Sequence, residues 1–115
     1  MEGDVEVSDD FRSEVLLLLS RLPASWSLLY LNGSFRKLGP AFRPGLVLSR
    51  GGVGAFGYVI SFQGAKHFLQ NAALQSDKAV DHMMDEEVLA GRILAFHAQP
   101  TLVHLIPDVR STLAY

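Results

Sequence analysis

From the amino terminus the apolar positions first alternate, with Val5 and Val7 set between polar neighbours, which is the period of a short strand with one face covered. Ser8, Asp9 and Asp10 then supply a cap and two acids for the positive end of a helix. Phe11, Val15, Leu18, Leu19 and Leu22 recur at intervals of four, three, one and three, the spacing of one helical face, and Pro23 stops the run. Leu16 and Leu17 fall outside that stripe. The pattern therefore predicts a helix that is apolar on more than one side and lies between other elements, not a surface helix.

Trp26 to Leu31 is short, apolar and aromatic, a mostly buried strand that ends at the turn-forming Asn32-Gly33. From Ser34 to Arg50 basic residues mix with Pro40, Pro44 and two glycines, which predicts a long irregular loop with one short strand at Leu46 to Leu48. Phe56 to Ile60 reads as another apolar strand. Ser61 caps a following helix whose inner face is Ala65, Phe68, Leu69, Ala72 and Ala73. Beyond Asp77 an acidic segment carries Asp81, His82, Asp85, Glu86 and Glu87; a strand at Arg92 to Phe96 and a tail broken by Pro100 and Pro107 close the chain. Helices alternating with buried strands predict a mixed α/β domain. Its first strand begins almost at residue one, without the apolar segment expected before it.

Composition narrows the function classes. The chain has 115 residues, 49% of them hydrophobic, enough for a real core. Ten basic against 12 acidic residues give a formal charge of -2, so there is no global attraction to nucleic acid or anionic lipid. Without cysteine there is neither a disulfide framework nor a thiolate zinc site. The longest strongly apolar run, Val15 to Leu19, falls far short of the roughly 20 residues a bilayer span requires, so no transmembrane segment is expected. Acids open the chain where a signal peptide would carry basic residues, and the compartment is left open between cytoplasm, membrane periphery and secretory lumen.

Four groups of residues carry candidate chemistry. Glu2 and Asp4, two apart in an extended stretch, project from one face, and convergent carboxylates suit Mg²⁺ or Mn²⁺; a solvated chain end is the alternative. Gly52 to Gly57 matches G-x-G-x-x-G, yet Tyr58, Val59 and Ile60 continue it as a strand where a dinucleotide site needs a helix, so the glycines are read as a turn or bulge. His67, His82, His97 and His104 show no metal-ligand spacing among themselves, and packing or surface roles are expected of them. Asp81 beside His82 offers a general base or a metal contact, or else a cap for a short helix containing Met83, Met84, Val88 and Leu89.

Taken in order, the segments resemble glycosyltransferase family 25, which includes lipooligosaccharide and collagen galactosyltransferases. Met1-Glu2-Gly3-Asp4-Val5 is similar to the family's Leu-Glu-Asp-Asp-Val, with Asp9-Asp10-Phe11 as the helix start that follows it. Trp26 to Leu31 is similar to its Trp-Asp-Leu-Leu-Tyr-Leu, and Gly57 to Ser61 with Gly64-Ala65-Lys66 to its Ala-Tyr-Val-Ile-Ser and Gly-Ala-Lys. Val80-Asp81-His82 matches its Val-Asp-His, and Pro100 to Val103 its closing Pro-x-Leu-Val. Gly3 departs from the central aspartate of the acidic motif, and Ala79 from a common proline.

The resemblance implies a GT-A fold and transfer of a sugar, galactose above all, from a UDP-sugar donor to a saccharide or glycoprotein hydroxyl. It implies Mn²⁺ or Mg²⁺ on Glu2 and Asp4, Asp81 as catalytic base or second acidic contact, and Tyr58 and His82 against the substrate. The family's nucleotide-binding half precedes the acidic motif. Residues 1–115 are therefore expected to be one domain, the C-terminal portion of the transferase, with a partner chain able to supply the other half. A non-catalytic remnant and a small α/β interaction module are the competing expectations.

Overall fold

The computed structural model describes residues 4–7, 10–32, 35–53, 57–72 and 80–106 of the chain. Its elements in order are β1 (Asp4–Val7), α1 (Phe11–Arg21), β2 (Leu28–Tyr30), β3 (Phe35–Arg43), β4 (Leu46–Val53), β5 (Tyr58–Ile60), α2 (Phe62–His67), α3 (Val80–Leu89), β6 (Ala95–Ala98) and β7 (Val103–Ile106). After His67 the chain of α2 widens into a π turn over Phe68–Ala72.

A five-stranded sheet in the order β3-β4-β6-β2-β5 forms the centre, and β1 pairs with β7 in a separate two-stranded ribbon. Among the described residues β2 and β6 are the one parallel pair, and the other pairings are antiparallel. The most apolar short runs take the middle of the sheet because both their faces are covered. Alternate side chains sort to opposite faces. Leu29, Leu31, Phe96 and Ala98 meet Leu18 and Leu22 on the α1 side, while Leu28, Tyr30 and Ala95 meet Phe68, Met84 and Val88 on the other. Leu28 and Leu29 are wholly buried, and each contributes about 2 kcal/mol by removal from water. The result is a mixed α/β domain of three layers, the class that the pattern predicts.

Several local expectations are corrected. Leu16 and Leu17 are about half exposed, so α1 is a surface helix with one buried stripe. Two leucines outside the stripe do not bury themselves, because among the described residues no element covers the outer side of α1. In place of the expected irregular loop, Phe35–Arg43 and Leu46–Val53 form a β-hairpin. Pro44 and Gly45 make its two-residue turn, with Gly45 at φ 83 in the left-handed region. Pro40 is tolerated within β3 because that strand is at the edge of the sheet, and the register shifts along the β3–β4 ladder absorb the irregularity.

Strand β5 is an edge strand of half-buried and exposed residues rather than a buried one. In the second helix the Ser61 hydroxyl does cap, accepting from the Gly64 amide at 2.9 Å, and Phe68 is buried. Leu69, however, points out at 60% exposure, because the π turn rotates it off the inner face. Ala73 lies outside the described residues. Asp81 falls inside the first turn of α3, one residue past its start, not at a cap position. Among the described residues no helix is long and apolar enough to cross a membrane.

Candidate functional site

The two parallel strands end at the same edge of the sheet, and the β1–β7 ribbon attaches there. The Leu102 amide, just before β7, donates to the Leu31 carbonyl at 3.0 Å, and the Leu31 amide donates to the Gly57 carbonyl at 2.8 Å. Tyr58 opens β5 opposite Tyr30 at this edge, and Asn32, the second residue beyond β2, is buried beside Gly57. Asp4 stands in the ribbon opposite Ile106. Open α/β sheets bind ligands outside the carboxyl ends of their parallel strands, and this edge is the corresponding place here.

Of the residues expected to act, Tyr58 lies at that edge, 42% exposed. Asp4 belongs to the attached ribbon by its backbone; its side chain and all of Glu2 lie outside the described residues, as does the side chain of Asp81. His82 is exposed on the first turn of α3, a helix that packs chiefly on β4. The structure thus places Tyr58 at the edge where β7 attaches, Asp4 at the other end of the ribbon opposite Ile106, and Asp81 and His82 together on a different element. Among the described residues no group of three or more His, Asp or Glu gathers as a metal site. The expected pair, Glu2 and the Asp4 carboxylate, is outside that set.

Beneath α3 lies a polar network that the sequence reading missed. Asp85 accepts from the Gly52 amide at 2.7 Å through Oδ1, the same oxygen that Lys37 Nζ approaches at 3.3 Å. Gly51 has φ +109, and a Cβ there would collide with Asp85 Oδ1. The Gly51 amide donates to Ser49 Oγ at 3.0 Å, and His97 Nε2 lies 2.9 Å from that hydroxyl and 3.2 Å from the Gly51 carbonyl. The His97 ring stacks on Tyr30 at 4.7 Å. Burial pushes the His97 imidazole down to about 4, against a smaller upward pull from the Gly51 carbonyl, so it is neutral at pH 7. Gly52, the first glycine of the apparent nucleotide fingerprint, is therefore the backbone partner of an aspartate, while Gly57 packs beside Asn32 and Val103 and Gly54 lies outside the described residues. The one signal available was Asp85 itself, four residues after Asp81 on a helical segment.

A second polar group occupies the opposite edge, where β2 and β6 begin. Glu87 Oε2 accepts from Arg92 Nη2 at 2.7 Å, both carboxylate oxygens accept from Arg92 Nε at 3.0 Å, and His67 Nε2 contacts Oε1. A cleft of about 600 Å³ opens there, lined by Ser25, Ser27, Gln63, His67 and Arg92 among others. Beside it the Glu87 carboxylate and the Arg92 guanidinium already satisfy one another. The carboxyl edge, with the ribbon across it, is the better candidate for chemistry. No family model, curated protein or solved structure matches the chain.

Proposed function

We propose that the chain carries the metal and acceptor side of a nucleotide-sugar glycosyltransferase of the family 25 type, with a GT-A-like arrangement. The observation that carries the reading is the order of five short segments along almost the whole chain, from Glu2-Gly3-Asp4 through Val80-Asp81-His82 to Pro100-Thr101-Leu102-Val103. The ribbon that carries Asp4 is in keeping with it: β7 is bonded through Leu102 to the carboxyl end of β2, near Tyr58, with Asp4 opposite Ile106 at the ribbon's other end.

In this reading the acceptor hydroxyl attacks the anomeric carbon of a UDP-sugar. A bond forms from the acceptor oxygen to that carbon, the bond from the carbon to the diphosphate oxygen breaks, and UDP leaves with the electron pair. Asp81 takes the hydroxyl proton. Tyr58 and His82 contact the sugar. Glu2 and Asp4 are hard oxygen donors of the kind Mn²⁺ and Mg²⁺ prefer, and would hold the ion whose charge offsets that of the departing diphosphate.

The test is UDP release from UDP-galactose by the chain with Mn²⁺ and a galactosyl acceptor. Asp81→Asn is expected to lower turnover by about a hundredfold, the size of a lost general base, with the thermal midpoint unchanged. Turnover at the wild-type level in Asp81→Asn removes the base from the mechanism, and a wild-type chain that releases no UDP even when a nucleotide-binding half of the family is supplied removes the transferase reading.

A further inference from the structure

The Asp85 contact has a geometry that simple helix docking does not require. A helix laid on a sheet needs only an apolar stripe, which Met84 and Val88 already supply against Tyr30, Leu28 and Ala95. Asp85 adds a directional bond at 2.7 Å to the Gly52 amide, on a strand that makes room for the carboxylate by placing a glycine at φ +109 beside it. Lys37, reaching over from β3, balances the charge from a half-exposed position. The strand is shaped in turn from below, where Ser49 accepts from the Gly51 amide and His97 lies against the Gly51 carbonyl. Asp85 is only 14% exposed at its side chain, so its bond forms in a medium where polar contacts are strong and a lost one is costly.

This attachment is one helical turn from Asp81 and three residues from His82. Hydrophobic contacts are non-directional and tolerate sliding and rotation of a helix, whereas a short charge-assisted hydrogen bond to a backbone amide fixes both. We infer that Asp85, clasped to the Gly52 amide beside Gly51, is a positioning residue that sets the first turn of α3 and so the placement of Asp81 relative to the acceptor. The inference rests on the transferase reading for the role of Asp81, while the clasp itself does not.

Catalysis is steep in position: a misplacement of about 1 Å costs on the order of a hundredfold. Asp85→Ala is therefore expected to lower kcat for UDP release by about ten- to a hundredfold with the donor KM within about twofold of wild type, the pattern of an interaction felt only in the transition state. Asp85→Asn keeps an oxygen for the Gly52 amide and is expected to recover most of the loss. Lys37→Met, which removes only the exposed cation, is expected to stay near wild type. Hydrogen exchange, read on the same full-length chains, should rise in Asp85→Ala at the Gly52 amide and at residues 84–87 of α3, whose amides bond back to the first turn.

Wild-type kcat in Asp85→Ala, or an Asp85→Asn as slow as Asp85→Ala, overturns the positioning role. Unchanged exchange at Gly52 and in α3 overturns the clasp, whatever the activity. A wild-type chain without UDP release even when the nucleotide-binding half is supplied, with exchange rising as described, sinks the transferase reading and the positioning role together and leaves the clasp established.

Discussion

Glu87 and Arg92 face each other across the C-terminal end of α3, with all three guanidinium contacts to the carboxylate at 3.0 Å or less. That pair, with His67 on the same acid, ties α2, α3 and the entry to β6 into one unit. The Arg92 hydrogen bonds hold the Glu87 carboxyl down at about 2 from 4.5, with burial opposing and His67 assisting.

The sign of the pH dependence follows. A carboxyl whose folded pKa is lowered contributes stability that is complete above 4.5 and is lost as the pH falls through 2. With Arg92 more than half open to solvent the contribution is about 2 kcal/mol. Glu87→Gln is expected to flatten the stability curve between those two pH values, as measured by urea midpoints across the range; a slope equal to wild type would contradict the pairing.

His97 acts in a higher window. Its folded pKa of about 4 lies below the ordinary 6.5 because the ring is buried, so the unfolded chain takes up a proton before the folded one does. Stability is full above 6.5 and declines by about 3 kcal/mol as the pH falls to 4. His97→Phe keeps a ring against Tyr30 and removes the titration. It should be less stable than wild type at pH 7, having lost the contacts to Ser49 and Gly51, yet nearly independent of pH from 6.5 to 4.

On α1 the prediction separates the buried stripe from the exposed leucines. Leu18→Ala is expected to cost about 3 kcal/mol, because it opens a cavity between the helix and Leu29, Phe96 and Ala98. Leu16→Glu and Leu17→Glu are each expected to change stability by less than about 0.5 kcal/mol. Equilibrium unfolding decides, and a large loss in either glutamate variant would mean that the outer face is covered.

Which parts were legible in the sequence depended on whether one local signal dominated. The stripe from Phe11 to Leu22, the Ser61 cap and the short apolar run from Trp26 to Leu31 each report a period, a run or a hydrogen bond made within a few residues, whereas the strand read at Arg92 to Phe96 lies at Ala95–Ala98. The β3–β4 hairpin was hidden because its strands carry Arg36, Lys37, Arg43, Pro40 and glycines, a composition that an edge strand tolerates and that reads as a loop. The networks around Asp85 and His97 join residues 33 and 48 positions apart to their strand partners, and no spacing rule reaches that far. Leu16 and Leu17 misled for the opposite reason: what decides their burial is whether another layer exists, which no property of the helix encodes.

The central claim is that carboxylates near the start of the chain hold a divalent cation for a nucleotide diphosphate. Calorimetric titration of UDP into the full-length chain, with and without Mn²⁺, tests it most directly. Saturable binding that requires Mn²⁺ and is abolished by Asp4→Asn and by Glu2→Gln is the expected result. Binding that is absent, or that survives both substitutions unchanged, contradicts the account.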